Sequence, residues 1–169
     1  MKGMFKIALC SAAMVVALNA NALQQDITVT ADIDPTVSIS KADGAALPDS
    51  ITMQYRAGQG LVAYKENVKL WSNAADKDLM VSLSAEPKLT DPSGQGSIPL
   101  SVLIDGKVLS TTQTTYDYKT TFPSGIKNGS SVMPLVITQK SAGEATVAGK
   151  YTGLVSLIIS QATTSGEKG

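Results

Sequence analysis

Residues 23–35 read LQQDITVTADIDP, and apolar side chains alternate strictly with polar ones along this stretch. The apolar positions are Ile27, Val29, Ala31 and Ile33. A period of two places all four on one face of a β-strand. The stretch is therefore predicted to be a strand with one apolar face, which pairs either within its own domain or with a neighbouring molecule.

The residues before this strand have the three parts of a secretory signal peptide. Lys2 and Lys6 give a positive start, residues 7–18 form an uncharged apolar run, and Ala20-Asn21-Ala22 supplies the small residues of a cleavage site. A membrane anchor is the alternative, but the apolar run is shorter than the roughly 20 residues that span a bilayer. We expect residues 1–22 to be removed on export.

Composition sets limits on what the exported part can be. Removing 22 residues from 169 leaves 147, a length that suits one domain. The single cysteine, Cys10, lies in the leader, so the exported domain would hold together without disulfides. Without Lys2 and Lys6, 12 basic residues face 14 acidic ones, a net charge of −2. No basic patch emerges and aromatic residues are few, which argues against nucleic acid as a partner.

Short alternating stretches separated by turn residues follow along the rest of the chain. Strands are predicted at residues 36–40, 51–55, 62–71, 79–84, 98–104, 108–109, 133–139 and 151–159, with loops at 86–97 and 123–129. Asp105-Gly106 predicts a two-residue type I′ hairpin turn. No amphipathic helix of useful length and no repeat is found, and residues 162–169 are expected to be a frayed tail. The pattern predicts an all-β protein with a β-sandwich.

Catalytic and metal-binding patterns are missing from the sequence. The chain has no histidine, which excludes histidine-paired serine or cysteine nucleophiles and the commonest zinc ligand. The carboxylate pairs Asp32/Asp34 and Asp76/Asp78 could be calcium ligands or an acid/base pair, but neither lies in a compact oxygen-rich loop. A solvated strand face and a solvated turn explain them, so no enzyme, cofactor or metal is expected.

Two further features have both a functional and a structural interpretation. Asn128-Gly129-Ser130 matches a glycosylation triplet, although a loop rich in turn residues explains it equally well. Trp71 could stack on a ligand, but a tryptophan at the end of a strand more often packs in the core or at its rim.

Four stretches, in order along the chain, point to a known family. They are ITVTADIDP at 27–35, ADGAALP at 42–48, VLSTT at 108–112 and AGKYTGLVSL at 148–157. Together they resemble the major pilins of the colonization factor antigen I type, the class 5 or alpha fimbriae of the chaperone–usher pathway. Within that family, residues 53–61 and 71–73 resemble the major pilin of the cable pilus. The resemblance covers nearly all of the chain after the leader.

The resemblance implies an incomplete immunoglobulin-like β-sandwich in residues 35–161, completed by a donor strand from a neighbouring subunit. Residues 23–34 would be the donor-strand extension, with Asp34 and Pro35 as the hinge where it leaves its own domain. The side chains that fill the neighbour's groove would be Ile27, Val29, Ala31 and Ile33. The wall of the acceptor groove would be formed by Tyr151, Val155, Leu157 and Ile159, with Leu154 and Ile158 on the opposite face.

The family also implies partners and a destination. Identical pilin subunits would polymerise into the shaft of an adhesive fimbria on the cell surface, with help from a periplasmic chaperone and an outer-membrane usher and with a minor tip adhesin at the end. Whether this pilin itself binds host-cell surface receptors is left open. The alternative is a monomeric, secreted β-sandwich that binds carbohydrate and whose arm folds back onto its own domain.

Overall fold

The computed structural model describes residues 37–143, 145 and 147–163, all of which lie in one compact unit, Ile33–Gly169. The strands of these residues are, in chain order, β1 (Val37–Lys41), β2 (Tyr55–Arg56), β3 (Gly60–Leu61), β4 (Tyr64–Ser72), β5 (Leu79–Leu83), β6 (Lys88–Thr90), β7 (Ser97–Ile104), β8 (Lys107–Leu109), β9 (Thr114–Tyr116), β10 (Met133–Gln139) and β11 (Leu157–Gln161). The helical segments are α1 (Tyr118–Thr121) and a 3₁₀ turn (Ile126–Asn128). No helix within these ranges could cross a bilayer.

The strands form two antiparallel sheets of unequal size. The larger sheet has the order β1-β4-β10-β7-β6, and β8 also pairs with β7. The smaller sheet has the order β11-β5-β9, and β2 and β3 form a separate ribbon. Two antiparallel sheets that share one apolar core form a β-sandwich, which confirms the predicted fold class.

Alternating side chains from both sheets build the core. On the larger sheet, the buried positions include Val68 and Leu70 of β4, Val102 and Ile104 of β7, and Leu135 of β10. The smaller sheet adds three buried side chains from β5, namely Leu79, Val81 and Leu83. The prediction of a strand at 133–139 is confirmed, because β10 has these bounds and its apolar residues at every second position are buried.

The Asp105-Gly106 turn joins β7 to β8 as predicted. Both residues have positive φ, 53° and 74°, and Ile104 pairs with Lys107 across the turn. This is the backbone geometry that a type I′ hairpin requires. Tyr116 of β9 links the smaller sheet to this turn, because its hydroxyl donates to the Ile104 carbonyl at 2.9 Å. Burial, reinforced by the charge of Asp105, raises the pKa of Tyr116 to about 12.

The last strand differs from its prediction. It begins at Leu157 and ends at Gln161, whereas the sequence predicted a strand over 151–159. The earlier residues leave the smaller sheet because Thr152 pairs instead with Thr90 of β6. Both faces of this stretch are apolar in sequence, so its alternation could not show where one pairing ends and the other begins.

Three other parts of the predicted secondary structure also differ from the observed one. The loop predicted at 86–97 contains β6, which pairs with the start of β7. The strand predicted at 51–55 is reduced to its last residue, Tyr55, which belongs to the short β2. The three-residue β9 was missed, because it is held by pairing with β5 and has no strong alternation of its own.

The residues with a possible functional interpretation are used in packing and capping. The indole Nε1 of Trp71 donates to Ser40 Oγ at 2.9 Å, and its ring lies against Gly129. The amide Nδ2 of Asn128 donates to the Ser124 carbonyl at 2.8 Å. Asp78 Oδ1 accepts the Tyr118 amide at 2.8 Å, at the start of α1. Each of these polar groups therefore has a structural partner.

The turn between β6 and β7 is organised by the carboxylate of Asp91. One oxygen accepts the Gly96 amide at 2.6 Å, and the other accepts both the hydroxyl and the amide of Ser93. Asp91 is nearly buried, with 8% of its surface exposed. The Ser93 hydroxyl and then the Gly96 amide lower the pKa of this carboxyl, because they stabilise its charged form.

We expect this carboxylate to contribute to the acid sensitivity of the domain. Because folding lowers its pKa, its contribution to stability is fully present above the unfolded value of about 3.9 and is lost as pH falls through the lower folded value. Asp91→Asn should therefore lower stability at pH 7 and flatten the dependence of stability on pH below about 4. Chemical unfolding at pH 7, 4 and 2.5 measures both effects.

Ser93→Ala is the matched variant for this prediction. It retains the carboxylate but removes the strongest of the interactions that lower its pKa. Its pH dependence should lie between those of the native protein and Asp91→Asn. An Asp91→Asn protein that loses stability with acid as steeply as the native chain would contradict the prediction.

Candidate functional site

A large apolar cavity lies between part of the larger sheet and two segments without regular structure. Its volume is about 970 Å³. The segments are residues 47–53, which follow β1, and residues 147–155, which precede β11 and are called the strap below. The cavity is near the upper end of the range for ligand sites, about 300–1,000 Å³, and protein interiors are otherwise close-packed.

The floor of the cavity is formed by the larger sheet. Aliphatic side chains from β6, β7 and β10 point into it; they are Leu89, Ile98, Leu100, Leu135 and Ile137. Tyr64 of β4 lies at its side, and its hydroxyl donates to Glu66 at 3.2 Å. Burial and then the neighbouring Glu66 raise the pKa of Tyr64, so this hydroxyl stays neutral.

The cavity exists because the smaller sheet is too short to cover the larger one. Strands β4, β7 and β10 have nine, eight and seven residues, whereas β5, β11 and β9 have five, five and three. At about 3.4 Å per residue, the excess leaves roughly 10 Å of each long strand without a facing strand. The two irregular segments lie over this part of the sheet.

Three of the four residues predicted to form a groove wall line this cavity. They are Tyr151, Val155 and Leu157. Ile159 does not line it but packs against the core with Val155 and Leu157. Leu154 and Ile158, which were predicted for the opposite face, are 79% and 49% exposed, but Leu154 also borders the cavity. The structure therefore brings three of the four wall residues to the cavity, whereas their role in holding a donor strand stays a prediction.

The strap is fastened to β6 and to the turn that follows it. Thr90 and Thr152 exchange two backbone hydrogen bonds, of 2.8 and 2.9 Å. A Cβ atom added to Gly153 would lie 2.1 Å from the Lys88 carbonyl oxygen, so only glycine fits between the two backbones. This close approach holds the strap in place and makes it one wall of the cavity.

The strands at the edges of the two sheets include β1 and β11, which flank the two cavity-lining segments in the chain. Within the described ranges, β11 pairs only with β5, and β1 pairs only with β4. An unpaired edge presents a row of N–H and C=O groups to which another strand can add. Beside an apolar cavity, such an edge can accept a strand that has one apolar face.

The donor half of the prediction falls outside the described residues. This applies to Ile27, Val29, Ala31 and Ile33, and also to Asp34 and Pro35 of the predicted hinge. Conversely, the cavity floor and the segment 47–53 were not predicted from the sequence. The alternation of β10 already showed that Leu135 and Ile137 share a face, but only the strand order shows that Leu100 lies opposite Gln139, two residues beyond Ile137.

The close contact at Gly153 leads to a stability prediction. Gly153→Ala should destabilise the domain by about 1–3 kcal/mol, because the added methyl group meets a backbone oxygen that cannot move freely. Gly149→Ala, on the same strap, is the control, since its Cβ would lie 3.9 Å from the nearest atom. Its effect should be neutral or slightly stabilising. Thermal unfolding followed by circular dichroism separates the two, and equal melting temperatures would contradict this contact.

Comparison with known proteins identifies the family. Residues 23–160 match the family model of the CS1 type fimbrial major subunit. The CFA/I fimbrial subunit of Escherichia coli O78:H11 is 38% identical over 152 residues, covering 86% of this chain and 89% of the relative. The CS1 fimbrial subunit of Escherichia coli is 38% identical over 165 residues, covering 92% and 95%.

A solved structure shows the same fold. The CooA pilin subunit from enterotoxigenic Escherichia coli superimposes with a TM-score of 0.69 at 35% identity, covering 76% of this chain and 89% of that one. The finer resemblance to the cable pilus pilin stays a prediction. The match of the family model over most of the chain, the relatives and the shared sandwich together show that this chain belongs to the CS1 type fimbrial major subunit family.

Proposed function

We propose that this fimbrial subunit polymerises by donor-strand exchange, with residues 23–34 of one copy filling the apolar cavity of the next. The cavity is the observation that carries the proposal. Its floor and strap present aliphatic side chains over about 970 Å³, beside strand edges that can accept a partner. A strand with one apolar face matches this surface in both shape and polarity.

The predicted donor strand has the properties that the cavity requires. Three of its apolar side chains, Ile27, Val29 and Ile33, are large, and each contributes on the order of 1.5–3 kcal/mol when it is fully buried. Ladder hydrogen bonds to a free edge would add to this. Peptide recognition by strand addition works in this way, and donor-strand complementation of pilins is itself an instance of it.

The proposed partners are those that the family resemblance implies. Until the next copy of the chain docks, the cavity and the free edges would expose apolar groups that promote aggregation. A periplasmic chaperone would cover them with a strand of its own. An outer-membrane usher would then exchange that strand for residues 23–34 of the next copy, called the arm below. A minor tip adhesin would end the fimbria, and residues 1–22 would direct export as a cleaved signal peptide.

The location and class of the protein rest on its family. Fimbrial subunits are exported to the cell surface, and CS1 type major subunits are structural pilins, which are not a class of enzyme. The relatives described above are all fimbrial or pilin subunits by name. The alternative function therefore has no support from the proteins that this chain resembles.

The alternation of the arm gives a direct test. Val29→Asp and Ile33→Asp should each block assembly, because they would place an unpaired charge in an apolar cavity. Thr28→Asp and Thr30→Ala are the matched controls on the other face of the same strand and should assemble nearly normally. The readout is the ladder of multimers on a denaturing gel without heating, made from cells that produce the fimbria. Equal ladders from all four variants would overturn the assigned register.

A further inference from the structure

We propose that Tyr151 is the end stop of the groove, the residue that sets how far along the cavity a donor strand can lie and so fixes its register. This inference rests on the proposed donor-strand exchange and adds a positioning residue to it. Three properties support it: how firmly the ring is held, where it lies in the cavity and how long the donor strand is.

The Tyr151 ring is held on two sides. Its hydroxyl donates to the Val147 carbonyl at 2.7 Å, within the strap. Its other contact is Gly96, where an added Cβ would lie 2.1 Å from the hydroxyl oxygen and 2.8 Å from the ring. Only a glycine permits this approach, and Gly96 is in turn fixed by the Asp91 carboxylate. A ring supported in this way can resist a side chain that presses against it.

The Tyr151 ring lies where the larger sheet ends, against Gly96 just before the start of β7. Its neighbour Thr152 pairs with Thr90, and Thr90 pairs with Ser97 at the very start of β7. Leu157, where β11 begins, lines the cavity at the other limit of the wall. A strand laid along this wall from β11 therefore meets the Tyr151 ring where the larger sheet ends.

The length of the wall matches the length of the donor strand. Leu157 and Tyr151 are six residues apart, as are Ile27 and Ile33, and both spans come to about 20 Å in an extended chain. The four apolar side chains of the donor strand can therefore extend along the wall from Leu157 to Tyr151. A slip by one residue would turn the apolar face outward. A slip by two residues toward Tyr151 would push an isoleucine onto the ring, so the ring limits how far the strand can move in that direction.

A gain of function can test this proposal in the full chain. Ile27→Trp and Ile33→Trp each place a larger side chain at one end of the donor strand. Each should reduce the multimer ladder on an unheated gel about tenfold, because the cavity would be overpacked. Tyr151→Ala in the same chain lengthens the cavity at one end. It should restore the ladder for one of the two tryptophan arms and leave the other blocked, while Val29→Trp, in the middle of the strand, should not be restored.

Two further variants keep the test decisive. Tyr151→Phe retains the ring without the hydroxyl and should restore neither arm, because the ring itself is the stop. If Tyr151→Ala does not yield folded protein, Tyr151→Leu shortens the side chain while keeping it apolar, and the same selective restoration is expected. If Tyr151 had only a general structural role, replacing it would weaken assembly with every donor strand and would restore assembly for none of the tryptophan variants.

The outcomes also separate this inference from the proposed function. If Val29→Asp still assembles, donor-strand exchange in the assigned register is wrong. If Val29→Asp fails to assemble but the tryptophan arms assemble normally, or if Tyr151→Ala restores neither of them or both equally, only the end stop is overturned.

Discussion

The apolar face of the larger sheet is longer than the smaller sheet can cover, and the rest of the domain is arranged around this mismatch. Where the two sheets face each other, side chains such as Leu70 and Val81 are completely buried. Beyond that region the floor of the cavity faces mainly residues 47–53 and the strap. Atoms that line a cavity lack contacts on one side, so a donor strand added as proposed would supply contacts that the domain alone does not make. On this proposal, folding and assembly use the same surface.

The strap explains how the domain can keep such a cavity and still fold. Residues 147–155 are joined to β6 by a single pair of hydrogen-bonded threonines and by the contact at Gly153. Both are contacts between backbone atoms, so they hold the strap without placing a large side chain in the cavity. The wall is therefore fixed while the space beside it stays available. With no cysteine after residue 10, these contacts take the place of the disulfide that many exported domains use.

Sequence patterns predicted the elements that local chemistry determines. The bounds of β10 and the Asp105-Gly106 turn followed from alternation and from the turn residues alone. The start of β11 did not, because Leu154 and Val155 are both apolar and only the tertiary contact at Gly153 shows where the chain leaves the sheet. Similarly, β6 is three residues long and exists because β7 pairs with it.

The candidate site was only half accessible to sequence reasoning for a related reason. The wall residues are close together in the chain, so alternation and the family resemblance could group them. The floor comes from β6, β7 and β10, which are far apart in sequence and become neighbours only through the strand order. The pairing of Leu135 with Ile104 and of Gln139 with Leu100 depends on the tertiary structure, and no local sequence pattern predicts it.

The bridge between Thr90 and Thr152 also bears on the order in which the domain forms. The β7–β8 hairpin closes a loop of two residues, whereas this bridge closes one of about 60, and the entropy cost of closure grows with loop length. Contacts distant in sequence also form slowly, so we expect the strap to dock after the sheets have paired. During that interval the floor is open to solvent and to other chains. The period of greatest risk for a newly exported pilin therefore comes late in folding, when most of its sandwich is already in place.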